Sequence, residues 1–190
     1  MRTAGFVLAG GQSTRMGTDK ARLPAGSHFL VEDVAQKVMV AAGNVALIGP
    51  PQRYADLPLE CLPDQRPGFG PISGIETALA SGRGELNLIV ACDMPQLQTV
   101  WLRELLAKAA NTYSLCVAGR DATGALHPLC AVYRSSCLPF VARAIDEGRL
   151  KLMDLLAQLR SDFYYIDDTV LNLNKPEDWS SWHEHCCYSL

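Results

Sequence analysis

The sequence predicts an α/β fold: a single three-layer, doubly wound domain over residues 1–190 with a mainly parallel sheet. Three observations predict it. Short apolar runs alternate along the chain with longer segments of helical apolar spacing, the pattern of βαβ units. The clearest short runs, residues 4–8 and Leu86–Ala91, are apolar nearly throughout, as strands covered on both faces are. Both lead into polar or turn-forming residues, Gly10-Gly11 and Asp93-Met94-Pro95, at the strand ends where open α/β sheets bind ligands.

The elements follow in order. Residues 4–8 predict the first strand. Leu30–Ala42 has helical apolar spacing, with Gly43 placed to end it. Residues 44–48 predict a second strand, stopped by Gly49-Pro50-Pro51, and residues 59–62 a third. A helix is expected over 72–81, closed by Gly82, then the central strand Leu86–Ala91 and the amphipathic helix Thr99–Ala110. Strands at 115–118 and 129–133 flank a polar turn region over 119–124. Helices are expected over 135–147 and 152–159, a late strand over 163–166, and a closing helix over 176–182 capped by Asn174. Residues 183–190 are expected to form a flexible tail. No internal repeat, coiled coil or low-complexity linker interrupts this alternation.

Composition removes several function classes. Net charge is −3, without the basic excess of a nucleic-acid carrier. No apolar run reaches the roughly eighteen residues of a membrane span, and no leader-type apolar stretch precedes the first strand. Seven cysteines, an odd number at irregular spacing, do not form a disulfide framework, so a reducing cytoplasm is the expected setting. His183-Glu184-His185-Cys186-Cys187 supplies metal-type residues at a spacing that fits no structural zinc pattern.

The richest segment is Leu8-Ala9-Gly10-Gly11-Gln12-Ser13-Thr14-Arg15-Met16-Gly17-Thr18-Asp19-Lys20. Gly10 and Gly11 let the backbone turn sharply and approach a ligand, and successive N–H groups in such a turn form an anion-binding concavity. Arg15 adds a planar guanidinium and Lys20 a compact ammonium, both suited to phosphate oxygens. The segment is neither a P-loop nor a dinucleotide fingerprint, because Gly-x-x-x-x-Gly-Lys-Ser/Thr and Gly-x-Gly-x-x-Gly are both absent. The missing fingerprint disfavours an oxidoreductase, and no Ser–His–Asp or Cys–His triad is supported.

Two further segments follow strands. Residues 64–74, Asp64-Gln65-Arg66-Pro67-Gly68-Phe69-Gly70-Pro71-Ile72-Ser73-Gly74, make a Pro- and Gly-rich loop that opens a helix, with room for a base or ribose against the backbone. Asp93 stands at the tip of the central strand, as a hard-oxygen ligand for a divalent cation or as a turn-capping residue. In the C-terminal half, His127-Pro128-Leu129 and Leu171-Asn172-Leu173-Asn174 stand out. Asn172 offers a donor and an acceptor to a ligand, whereas Asn174 also serves as a helix cap. Arg149 and Lys151 suit an anionic acceptor or a solvated surface equally.

The segment Leu8–Lys20 resembles the signature of nucleotidyltransferases of the molybdenum cofactor guanylyltransferase family, and the resemblance extends over most of the chain. It implies a fold like that of nucleotide-diphospho-sugar transferases. It also implies GMP transfer from GTP to the terminal phosphate of molybdopterin, releasing pyrophosphate and forming the guanine dinucleotide cofactor. Carried onto this chain, the family pattern makes Arg15, Lys20 and Asp93 catalytic and Asp93 the Mg²⁺ ligand. It places Leu8, Ala9, Gly10, Gly11, Lys20, Asp64, Gly74 and Asp93 around the nucleotide, and Asn172 and Asn174 toward the acceptor. Gly11 favours guanine, because related CTP and sugar enzymes tend to carry Ala there. One departure is that Ile48-Gly49-Pro50-Pro51 stands where the guanylyltransferases carry an Asn, which leaves the base open. The alternatives are a CTP-dependent or sugar-phosphate nucleotidyltransferase and a non-catalytic nucleotide-binding module. Molybdoenzymes or cofactor-biosynthesis proteins are the implied protein partners, with no role for nucleic acid or membrane.

Overall fold

Nearly continuous apolar strands require cover on both faces, and this chain supplies helices for each. The computed structural model describes residues 1–10, 19–173, 177–179 and 182. Gly11, Arg15, Asn174, the tail over 183–190 and much of the expected closing helix over 176–182 lie outside the described residues.

In chain order the elements are β1 (Thr3–Leu8), β2 (Pro24–Ala25), β3 (His28–Phe29), α1 (Leu30–Ala42), β4 (Ala46–Ile48), β5 (Cys61–Leu62), α2 (Pro71–Ala80), β6 (Leu86–Ala91), α3 (Thr99–Ala110), β7 (Cys116–Arg120), β8 (Leu126–Arg134), α4 (Leu138–Asp146), α5 (Leu152–Gln158) and β9 (Asp162–Tyr165). A seven-stranded sheet runs in the order β5-β4-β1-β6-β8-β7-β9, and β2 with β3 forms a separate short hairpin. Every pairing in the large sheet is parallel except those of β8, which lies antiparallel to both β6 and β7.

Alternate side chains of each strand enter different cores. Val7, Leu88 and Val90 pack with α1 and α3, including Val34, Val38, Trp101 and Leu105. Phe6, Ala46 and Ile89 pack with α2, α4 and α5 on the other face, among Ile75, Val141 and Leu155. β1 lies inside the sheet and pairs with β4 on one side and β6 on the other. Its Gly5 brings the α1 face very close: a Cβ there would lie 2.4 Å from Val38 Cγ1 and 2.6 Å from the Asn44 carbonyl.

Several predicted elements change length for local reasons. The second strand starts at Ala46, because Asn44 is taken up by other bonds. Its side chain accepts from the Gly5 amide at 3.1 Å and donates to the carbonyls of Thr3 and Ala42. The third strand contracts to Cys61–Leu62. The helix expected over 72–81 runs Pro71–Ala80, with proline in its first turn, where the missing N–H costs nothing. The strands expected at 115–118 and 129–133 are longer, and together they form an antiparallel hairpin with a register shift between Ala118 and Gly119. The helix expected from 135 opens with a 3₁₀ turn, Ser135–Cys137, before α4. The β2–β3 hairpin was not predicted, since two residues per strand carry no periodicity. None of the described helices is long and apolar enough to cross a membrane.

Candidate active site

β1 and β6 pair in parallel up to Leu8 opposite Ala91, so the residues that follow them emerge side by side. The next strand of the large sheet after β1 is β4 and after β6 is β7, and these lie in opposite directions along the sheet. Such a switch of direction opens a crevice beyond the carboxyl ends of the strands.

Two predicted residues meet there. Asp93 lies just past β6, and Lys20 opens a 3₁₀ turn, Lys20–Arg22, held by Asp19. Asp19 Oδ1 accepts from the Ala21 amide at 3.1 Å, a side-chain cap for the turn. Lys20 Nζ stands 3.5 Å from Asp93 Oδ2, with their side chains 16% and 22% exposed. Burial raises the Asp93 carboxyl above its ordinary value, and the Lys20 ammonium opposes that rise. A partly buried carboxylate at a strand end beside a cation is a suitable station for a charged ligand.

The backbone around this pair is tightly bound. The Cys92 amide donates to the Leu8 carbonyl at 3.2 Å, and the Ala9 amide to the Ile48 carbonyl at 2.8 Å. Gly49 lies against the start of the glycine-rich segment: a Cβ at that position would be 3.2 Å from the Ala9 carbonyl carbon and the Gly10 nitrogen. A side chain at position 49 would therefore find little space. Gly10 is exposed on the open side.

Sequence reasoning missed Tyr54 and Asp19. Tyr54 is buried, and its hydroxyl lies 2.6 Å from the Ala9 carbonyl and 3.1 Å from Asp19 Oδ2. Burial foremost, then the charge of Asp19, raises that hydroxyl's pKa and keeps it a donor. The available signal was a lone aromatic within the polar stretch Pro50–Asp56, but its partners are far away in the sequence.

The other predicted residues have the following places. Asp64 Oδ1 accepts from the Ser73 hydroxyl, from the Arg66 amide at 3.1 Å and from Thr77 Oγ1 at 3.5 Å, and so organises the loop leading to α2. Gly74 is buried in α2 against Leu8, where a Cβ would lie 2.9 Å from Leu8 Cδ2, so it governs how closely α2 approaches β1. Asn172 is partly exposed, and its segment returns to the crevice, where the Leu173 amide donates to the Asp93 carbonyl at 2.9 Å. Arg149 is bonded to Glu147 and Gln158. A cavity of about 460 Å³ between the start of α3 and the end of β9, lined by residues such as Trp101, Tyr164 and Asp168, includes neither Lys20 nor Asp93.

A second polar centre lies where β7 turns into β8. Asp121 and His127 are both buried, with His127 Nε2 2.9 Å from Asp121 Oδ2. Burial alone would raise the Asp121 carboxyl. Bonds from Thr123, His127 and the Val170 and Ala125 amides outweigh burial and hold it well below the usual carboxylate range. A carboxyl depressed in the folded state stabilises the fold above its unfolded pKa of about 4, and that contribution fades as pH falls below this value. Asp121→Asn is therefore expected to lower stability at pH 7 by about 1–3 kcal/mol. The gap should narrow below about pH 4 in paired denaturant titrations; an equal gap at both pH values would contradict the assignment.

Comparison with known proteins adds to this geometry. The family described as "MobA-like NTP transferase domain" matches residues 5–162. The chain is 32% identical over 177 residues to the "Probable molybdenum cofactor guanylyltransferase" of Flavobacterium johnsoniae, covering 91% of this chain and 92% of the relative. It is 33% identical over 187 residues to the "Molybdenum cofactor guanylyltransferase" of Cereibacter sphaeroides, covering 94% of each. In structure it superimposes on the molybdopterin-guanine dinucleotide biosynthesis protein A of Archaeoglobus fulgidus with a TM-score of 0.83 and 23% identity, over 97% of this chain and 98% of that one. This last likeness bears on the fold.

Proposed function

The chain belongs to the MobA-like NTP transferase domain family and is a nucleotidyltransferase, and from that premise we propose that it transfers GMP from GTP to the terminal phosphate of a molybdopterin-type acceptor, releasing pyrophosphate. The names of the relatives support the substrates. The observation that carries the reading is the Lys20–Asp93 pair in the crevice beyond β1 and β6. In this structure the two charges answer each other. A metal–triphosphate would answer each separately, with its cation at the carboxylate and its phosphates at the ammonium.

The donor set fits Mg²⁺. Among the described residues there is no group of three or more His, Cys, Asp or Glu that could hold a metal, and Asp93 would act as a single carboxylate ligand. Mg²⁺ binds in this manner, filling its remaining positions with phosphate oxygens and water. When bound there, it would supply the charge that neutralises the α-phosphate.

The protein's own residues do the rest. An anionic phosphate attacking a polyanion meets repulsion of about 4 kcal/mol per pair of unit charges at 4 Å and an effective dielectric of 20. Lys20, joined by Arg15 from the glycine-rich segment, holds the β- and γ-phosphates and eases pyrophosphate departure. Leu8, Ala9, Gly10 and Gly11 present backbone to the nucleotide. The loop organised by Asp64 bounds the nucleoside, Gly74 sets how closely α2 packs on β1 behind it, and Asn172 and Asn174 are assigned to the acceptor. The attacking phosphate is already ionised, so no general base is required. Orienting it for an in-line displacement is the remaining task. The cytoplasm is the proposed site of action.

The test is pyrophosphate release with Mg²⁺ and a molybdopterin-type acceptor, assayed separately with GTP, CTP, ATP and UTP. Release specific to GTP is expected. A preference for CTP would overturn the guanine assignment. Nucleotide binding without release under any pairing would favour the non-catalytic module.

A further inference from the structure

We propose that Tyr54 is a positioning residue that fixes both ends of the glycine-rich segment and thereby aims the groups that meet the triphosphate; this rests on the reading given under Proposed function. The Tyr54 hydroxyl reaches Ala9, just past β1, and Asp19, just before the Lys20 turn. A phenol carries one proton, so it donates to one acceptor at a time, and the shorter contact is to the Ala9 carbonyl.

Each contact sets the direction of a group at the crevice. In a planar trans peptide the N–H points opposite to the C=O. With the Ala9 carbonyl turned to Tyr54, the Gly10 N–H is turned away from it. Asp19 caps the turn that begins at Lys20, so anchoring Asp19 anchors the base of the lysine whose ammonium stands 3.5 Å from Asp93.

Tyr54 is well placed to act as a fixed post. Its ring belongs to the core shared by α1 and α3. The Arg22 guanidinium, on the Lys20 turn, lies 5.8 Å from the ring centroid. Arg53, the preceding residue, places Nη1 3.6 Å from Asp19 Oδ2. In this proposal their effect on the reaction passes through the backbone they hold.

The experiment is calorimetric binding of Mg-GTP and of guanosine to wild type and to Tyr54→Phe, which keeps the ring and removes the hydroxyl. Affinity for Mg-GTP is expected to fall about tenfold, a hydrogen-bond-sized change, with affinity for guanosine within about twofold of wild type. A merely structural role would weaken both ligands alike or neither, and either result overturns the proposal. Should Tyr54→Phe fail to fold, Asp19 carries the test. Asp19→Asn keeps one oxygen for the Ala21 amide and offers its side-chain N–H to the Tyr54 oxygen, which accepts it while donating to the Ala9 carbonyl; it should bind Mg-GTP as wild type does, whereas Asp19→Ala should not, and equal binding by the two overturns the proposal. Wild-type protein that binds Mg-GTP without transferring GMP would end the transferase reading and leave this test intact. Wild-type protein that binds no Mg-GTP overturns both.

Discussion

Asp93→Ala is expected to lower turnover by about 10²–10³-fold, the usual cost of removing one preorganised charge from a reaction that develops charge. Stability should move far less, because relief of the carboxylate's burial is set against loss of this partner to the Lys20 ammonium. The carboxylate is largely buried, with burial raising its pKa and the Lys20 ammonium opposing that rise, so folding gains little from keeping it ionised. Steady-state pyrophosphate release beside a thermal melt separates the two effects. A variant that loses activity and also melts much earlier would mean that Asp93 is a structural anchor. A variant with near-normal turnover would remove it from the mechanism.

Lys20→Ala should cost a similar factor, about 10²–10³ in turnover, because the ammonium's proposed partners are the phosphates that leave. It should also alter the pH dependence. Lys20 holds down the Asp93 carboxyl against burial, so its removal lets that carboxyl rise further. If activity requires ionised Asp93, the acid limb of the rate profile must shift to higher pH in Lys20→Ala. A rate lowered uniformly at every pH would mean that the two side chains act independently. Losses in the double variant smaller than the product of the single losses would show that they act as a unit.

Much of this could be seen in the sequence, because the informative signals are local. β1 and β6 announce themselves as nearly unbroken apolar runs, and α3 falls at Thr99–Ala110 as its periodicity predicts. Lys20 and Asp93 each follow a strand, and the parallel pairing of β1 with β6 turns two separate motifs into one site. What escaped notice depends on contacts between distant residues. Tyr54 has no local feature that ties it to Ala9, 45 positions away. Asp121 sits in a polar turn that looks like any other until His127 and Val170 close on it. Gly74 has the composition of a ligand-facing glycine, yet its neighbour is Leu8, a packing fact visible only once α2 lies on the sheet.

The stretch from Val170 to Leu173 touches both polar centres, with the Val170 amide directed at Asp121 and the Leu173 amide bonded to the Asp93 backbone. That connection bears on how the molecule is made. A ribosome releases the glycine-rich segment early and Asp93 near the halfway point, yet the strap that bonds to Asp93 emerges only after β9. A nascent chain paused before that point would hold every proposed charged group in an unfinished crevice. Competence for the reaction should therefore arrive late in translation.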